Sequence, residues 1–385
     1  MSKELNLTYE KNFSSPRADG RHVCTMAAHM AILRDISPIF ALPNELTLQS
    51  FNDWKNNLKN KLYSQLNLPK VTPQPSPKLI YSKQREGYRA EKWEFYPDDY
   101  TAVPFIALIP DKATAKHPAP AVMCFLDSFE NKEFVAGEPQ LNHPNCQQNK
   151  DSHPISQTLA QNGMVAFVFD NPGMGECSVL SPSDLGETQS YIREILCHGL
   201  LETGCGYLGL TVFQRLRFIS FLDCFPYADK NNIAISAHGL GTEAAIIVGI
   251  LEDNIKSIFY GDVLKDPRRH YVSVTEQSTQ TMAQDTGKWH ILPEKMISYG
   301  YQDLCAAFAP RNLFLCDGSN EEAVNTVRRA YELHKSEASL HCGLTANNNA
   351  DLTMMGLRED EFYSAPKYNV NNELDFFKKC FFHKP

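Results

Sequence analysis

Hydrophobic positions along the chain change rhythm twice. Early on, Phe51, Trp54, Leu58 and Leu62 recur every three or four residues, the spacing of one buried helix face. Ser50, with Asp53 one turn later, reads as the capping box that starts this helix. The proline-rich PKVTPQPSPK that begins at Pro69 ends the helical segment. Three runs follow, KLIYSKQ, YRAEKWEFYP and TAVPFIALIPD. Their alternation of apolar and polar residues, with short connections, predicts an antiparallel meander.

Beyond Pro118 the alternation gives way to unbroken apolar runs: PAVMCFLD, GMVAFVFD, NNIAISA, IKSIFYGD, RNLFLCDG and ASLHC. A strand apolar on both sides is one buried on both faces. Helical patterns lie between several of these runs, such as Val212, Leu216, Ile219 and Leu222. Strand–helix alternation predicts the α/β class, a mostly parallel central sheet with helices on both faces and antiparallel strands at its start. The expected organisation is a helical N-terminal extension over residues 1–75 and one α/β domain over residues 76–385.

One junction carries chemistry. NIAISAHGLGTEAAIIVGILED, Asn232 to Asp253, has the form of a strand, a sharp turn and a helix. Its A-H-G-L-G is one residue away from G-x-S-x-G, the turn on which a strand presents a nucleophilic serine. Gly239 stands in the nucleophile's place. Glycine offers no reacting atom, and it adopts the strained backbone of such a turn without steric cost. Ala237 and Gly241 are small, as a helix packed hard against its strand requires.

Composition narrows the function. With 43% hydrophobic and 21% charged residues the chain has the make-up of a globular protein. A net charge of −8, without basic runs, argues against nucleic acid as a partner. No apolar run is long enough to span a membrane, so no membrane partner is expected. MSKELNLTYEKNFSS lacks the pattern of a signal peptide, and the 11 cysteines are scattered without paired or metal-binding spacing. The expected location is the cytoplasm, with thiols free and mostly buried. Dispersed histidines and the absence of nucleotide motifs predict neither metal nor cofactor.

Four local patterns carry a resemblance. FVFDNPGMGE forms a strand followed by a D-x-P-G-x-G-E turn, and YLGLTVFQRLRFISFL runs as a helix into the elbow strand. HILPEKMISYGYQDLCAAFAPRNLFLCDG and the amphipathic EAVNTVRRAYE follow in order. Together they resemble the α/β-hydrolase superfamily, in particular its acetyl-xylan-esterase-like and dienelactone-hydrolase-like branch among bacterial carbohydrate esterases, over roughly Lys78 to Phe382.

The resemblance implies positions for a catalytic triad and an oxyanion hole. The nucleophile position is Gly239, and the acid position falls on Glu321, with Asp317 nearby. The base position falls near Asn347, and His341 is the neighbouring histidine. The oxyanion donors would be the N–H of Leu240 and the loop DSFENKEF, which carries Asp127, Ser128 and Glu130. A carboxylate aimed into that hole would repel a developing oxyanion. His238 and Asp170 lie close to the same site, and alternation turns His238 under the strand. Cys124 and Ser128 are the local candidates for a substitute nucleophile.

Three readings follow. One is a pseudo-hydrolase that binds a small molecule or a partner, with the helical extension available for packing on a second copy of the chain. Another is an enzyme with reassigned, non-covalent chemistry such as a lyase, decarboxylase or cyclase. The third is an esterase of acylated sugars in which Gly239 replaces a serine by design.

Overall fold

The computed structural model describes residues 17–127, 130–138, 154–178, 188–262, 264, 288–316, 321–343 and 370–382. Ser128, Asp317 and Asn347 lie outside the described residues. Each of the nine runs expected to be strands forms one. The strands are β1 (Lys78–Gln84), β2 (Tyr88–Phe95), β3 (Val103–Pro110), β4 (Ala119–Phe125), β5 (Val165–Phe169), β6 (Ala228–His238), β7 (Ile255–Gly261), β8 (Asn312–Cys316) and β9 (Leu340–Gly343). They build one sheet in the order β1-β2-β3-β5-β4-β6-β7-β8-β9. The meander β1–β3 and its junction with β5 are antiparallel. All pairings from β5 through β4 to β9 are parallel.

The helices are α1 (Thr25–Asp35), α2 (Leu48–Leu66), α3 (Lys132–Val135), α4 (Ile155–Gln161), α5 (Thr188–Glu202), α6 (Tyr207–Ile219), α7 (Gly241–Leu251), α8 (Lys295–Ser298), α9 (Tyr301–Ala307), α10 (Glu321–Leu333) and α11 (Val370–Phe382). They cover both faces of the sheet. On one face α2, α6, α7, α9 and α10 pack on Phe105, Phe167, Ile235 and Tyr260. On the other, α4 and α11 cover Val122, Ala166, Ala234 and Phe259. The assignment of successive strand residues to opposite cores is the period-two geometry of a strand.

Helix α2 shows where local pattern and local chemistry part. Phe51, Leu58, Leu62 and Leu66 are fully buried in the main core, as their spacing predicts. The cap lies one turn earlier than the sequence suggests. Thr47 Oγ1 accepts the N–H of Ser50 at 3.1 Å and Ser50 Oγ accepts the N–H of Thr47 at 2.9 Å. Asp53 instead accepts from Gln49 on the helix surface. Both hydroxyl residues can cap, and starting at Thr47 lets the two side chains satisfy each other's N–H reciprocally.

β4 pairs with β5 on one side and β6 on the other, so the chain direction of travel across the sheet reverses at β4. Crevices at the carboxyl ends of strands flanking such a reversal are where open α/β sheets bind ligands. Asp127 follows β4, His238 ends β6 and Gly239 follows it.

Candidate functional site around the glycine elbow

β6 delivers the chain into the turn and α7 leaves it, so Gly239 is held at the carboxyl edge of the sheet. Its φ is +46°, in the left-handed region that glycine favours. Thr242 closes the turn, donating its N–H and Oγ1–H to the Gly239 carbonyl at 3.1 and 2.7 Å. A Cβ on Gly241 would meet the Phe125 carbonyl oxygen at 2.6 Å. The close helix–strand approach that makes an elbow is intact.

The space beside Gly239 is already filled. A Cβ built on Gly239 would lie 2.0 Å from Asp127 Oδ1, 2.2 Å from its Cγ and 2.6 Å from its Oδ2. Asp127 Oδ1 also accepts the N–H of Leu240 at 3.1 Å. That N–H is the one an elbow directs at a developing oxyanion. A single carboxylate, brought over from β4, therefore takes both the side-chain volume of the nucleophile position and its backbone donor. Glu130 Oε2 accepts the Asp127 N–H at 2.9 Å and fixes the start of this loop.

His238 faces away from that volume. Its Nε2 lies 3.1 Å from Glu373 Oε2 of α11 and 3.5 Å from Ser236 Oγ, and its ring packs on Phe259. Burial disfavours its charge, but Glu373, Glu130 and Asp127 outweigh burial and hold it above the ordinary histidine value. Burial likewise pushes the Glu130 carboxyl up. Cys124, inside β4, is fully enclosed, and burial drives its thiol well above the ordinary range. A thiol so held is not a nucleophile at neutral pH.

Asp170 serves the fold. Its two oxygens accept from the N–H and Nζ of Lys132, each at 2.8 Å, and its carbonyl accepts from Arg215 Nη2 at 2.9 Å. Lys132 is fully buried and also meets Glu133 and Glu176, each at 2.7 Å. Burial opposes the Lys132 charge, but the three carboxylates overcome it and raise the ammonium's pKa. This cluster pins α3, and through it the loop of Asp127 and Glu130, to the D-x-P-G-x-G-E turn.

Of the triad positions implied by resemblance, Asn347 and Asp317 lie outside the described residues, and His341 is placed within a strand rather than on a loop at the elbow. His341 lies on β9, separated from β6 by β7 and β8, with its ring against Phe376. Burial and Lys379 lower its pKa. Glu321 is the exposed first residue of α10. The reason is geometric: a residue three strands away in a parallel sheet reaches the elbow only through a long loop, and His341 is inside its strand.

A second histidine–glutamate pair stands where sequence reasoning placed none. Glu243, one helical turn beyond Gly239 on α7, is buried, and its Oε2 lies 3.1 Å from His290 Nδ1. Tyr301 donates its hydroxyl to the same oxygen at 3.1 Å, and Lys295 Nζ sits 3.1 Å from Oε1. Burial would raise the Glu243 carboxyl, but Lys295 and His290 hold it below the usual range. Trp289, beside His290, packs with Tyr207 and Cys197 in a cluster that Leu240 joins. His290, Lys295 and Tyr301 all belong to the stretch HILPEKMISYGY. Its dense mixture of ionisable and aromatic residues was the available signal.

The abhydrolase family model matches residues 6–383, nearly the whole chain. The chain belongs to the abhydrolase family. The sheet order, the elbow and the antiparallel opening strands are those of an α/β-hydrolase of the esterase-like branch. Among solved structures, this abhydrolase is similar to a Bacteroides fragilis protein provisionally named an acetyl xylan esterase, at 27% identity and a TM-score of 0.77, covering 94% of this chain and 92% of that one. A glucuronoyl esterase from Solibacter usitatus shares the fold at 12% identity and a TM-score of 0.57, over 90% of this chain and 98% of that one. A methylesterase shares it at 14% identity and a TM-score of 0.60, over 91% of this chain and 67% of that one. No curated protein has a matching sequence.

Proposed function

We propose that this abhydrolase binds a small acylated saccharide, or a fragment of one, at the elbow and does not hydrolyse esters through an elbow nucleophile. One observation carries the reading: the Asp127 carboxylate stands where a nucleophile's side chain would be and accepts the Leu240 N–H that would bind the oxyanion. Covalent acyl transfer at this turn needs an oxygen or sulfur on residue 239 and a free donor for the negative charge that develops. Asp127 opposes both, the second by like-charge repulsion. The ligand class is supported by the fold neighbour named an acetyl xylan esterase.

The test uses an activated ester and a saccharide. With 4-nitrophenyl acetate, the natural chain and Gly239→Ser are both expected to release nitrophenol at the buffer rate. Removing the obstruction as well, in Asp127→Ala with Gly239→Ser, is expected to give a measurable rate. Acetylated xylo-oligosaccharide is expected to raise the melting temperature of the natural chain, since a ligand that binds only the folded state stabilises it. Ester turnover by the natural chain would sink the claim about hydrolysis. The absence of any thermal shift or calorimetric heat with the oligosaccharide would sink the ligand class.

A further inference from the structure

Two histidine–glutamate pairs flank Gly239, and they differ in what they leave open. His238 uses Nε2 on the buried Glu373 and lies against the α11 face of the sheet. A Cβ on Gly261 would come within 2.5 Å of its Nδ1, so that edge of the ring is walled by backbone. His290 uses Nδ1 on the buried Glu243. Among the described residues its Nε2 has no partner, and its side chain is 30% exposed. Glu243 is anchored independently by Lys295 and Tyr301, so the carboxylate stays put while the ring pivots on one hydrogen bond.

That arrangement, a partly exposed imidazole held at Nδ1 by a buried, fixed carboxylate, leaves Nε2 to exchange protons. The pair also sits close to the elbow. Glu243 is four residues from Gly239, about 6 Å along a helix axis, and Trp289 and Leu240 share one apolar cluster. The chain from Cys342 to Phe382 contains no histidine, so the stretch that links β9 to α11 supplies no imidazole.

We propose that His290, oriented by Glu243, is the proton-transfer group of the elbow site, standing in for a histidine after β9. The inference rests on the reading that the elbow binds a ligand but has lost its nucleophile, and it gives that site a means of acting on a bound hydroxyl-bearing ligand. With an oxygen nucleophile restored at the elbow, the step is defined. The Oγ of the introduced serine bonds to an electrophilic centre as its proton passes to His290 Nε2. When that centre is the phosphorus of a fluorophosphonate, the P–F bond breaks, fluoride leaves, and the proton is released to solvent.

A biotinylated fluorophosphonate is the probe, and the Asp127→Ala/Gly239→Ser chain is the background. Labelling is expected on residue 239, located by peptide mass spectrometry. Adding His290→Ala is expected to slow labelling at least about 100-fold, and added free imidazole is expected to recover part of the rate. Adding His238→Ala is expected to change it by no more than about threefold. Glu243→Gln is expected to slow labelling, because the ring loses the carboxylate that orients it at Nδ1. Each variant is first shown to melt cooperatively. Labelling that is indifferent to His290, that depends on His238 instead, or that fails in the folded double variant overturns the proposal. Labelling of the natural chain would overturn the lost-nucleophile reading and leave the His290 comparison standing.

Discussion

Position 239 and position 127 are one steric unit. A serine at 239 meets a carboxylate within 2.0 Å of its Cβ and a φ of +46°, so Gly239→Ser alone must displace the Asp127 loop. Overpacking of this kind costs about 1–3 kcal/mol, and urea unfolding should show the single variant less stable than Asp127→Ala/Gly239→Ser. Lys132 is the second residue whose environment decides its role. It is fully buried and is the cation that meets both Asp170 and Glu133, at 2.8 and 2.7 Å. Lys132→Met would strand those carboxylates, a loss of about 3–5 kcal/mol, read as a lower urea midpoint. The charge pattern NKEF gave no hint of this burial. A lysine in a polar loop is normally solvated, and only the approach of the D-x-P-G-x-G-E turn encloses it.

Among elements, α2 and α6 hold the front core together. Phe218 on α6 contacts Phe95, Phe105, Phe167 and Phe169 with ring centroids 4.6 to 5.4 Å apart. Leu58 on α2 is fully buried in the same core. Leu58→Ala should cost about 2–5 kcal/mol by chemical denaturation, although it lies in the segment that reads as an extension to the domain. On the opposite face α11 docks through His238 and Glu373. The His238 pKa is raised in the folded chain, so its contribution is present below the ordinary value of 6.5 and fades as pH rises through the folded value. Stability measured by urea should therefore decline over that interval in the natural chain, and the decline should flatten in Glu373→Gln. An unchanged slope would show that the pair does not hold the helix.

For the molecule as a whole, acid is the informative stress. Glu243 and Glu176 are held below the ordinary glutamate value of 4.5 by their cationic partners. Their stabilisation is present above that value and disappears as pH falls through the folded pKa. Glu130, Glu133 and Asp303 are raised by burial and titrate with the opposite sign. Natural chain and Glu243→Gln compared at each pH isolate the first effect: their difference in unfolding free energy should shrink on acidification. Among the described residues no single helix is long and apolar enough to cross a membrane, and the bent pair formed by α5 and α6 packs against the sheet's front core through α6.

The sequence by itself determined the fold class, all nine strands, the elbow turn and the vacancy at Gly239. Those features follow from local periodicity and from residue types, which act over a few positions along the chain. It did not determine what fills the vacancy or where a base would come from. Asp127 reaches Gly239 from 112 positions away, and Glu243 meets His290 across 47. Such contacts depend on strand order, on the reversal at β4 and on the burial that turns a surface-type residue inward. Only the folded sheet sets those.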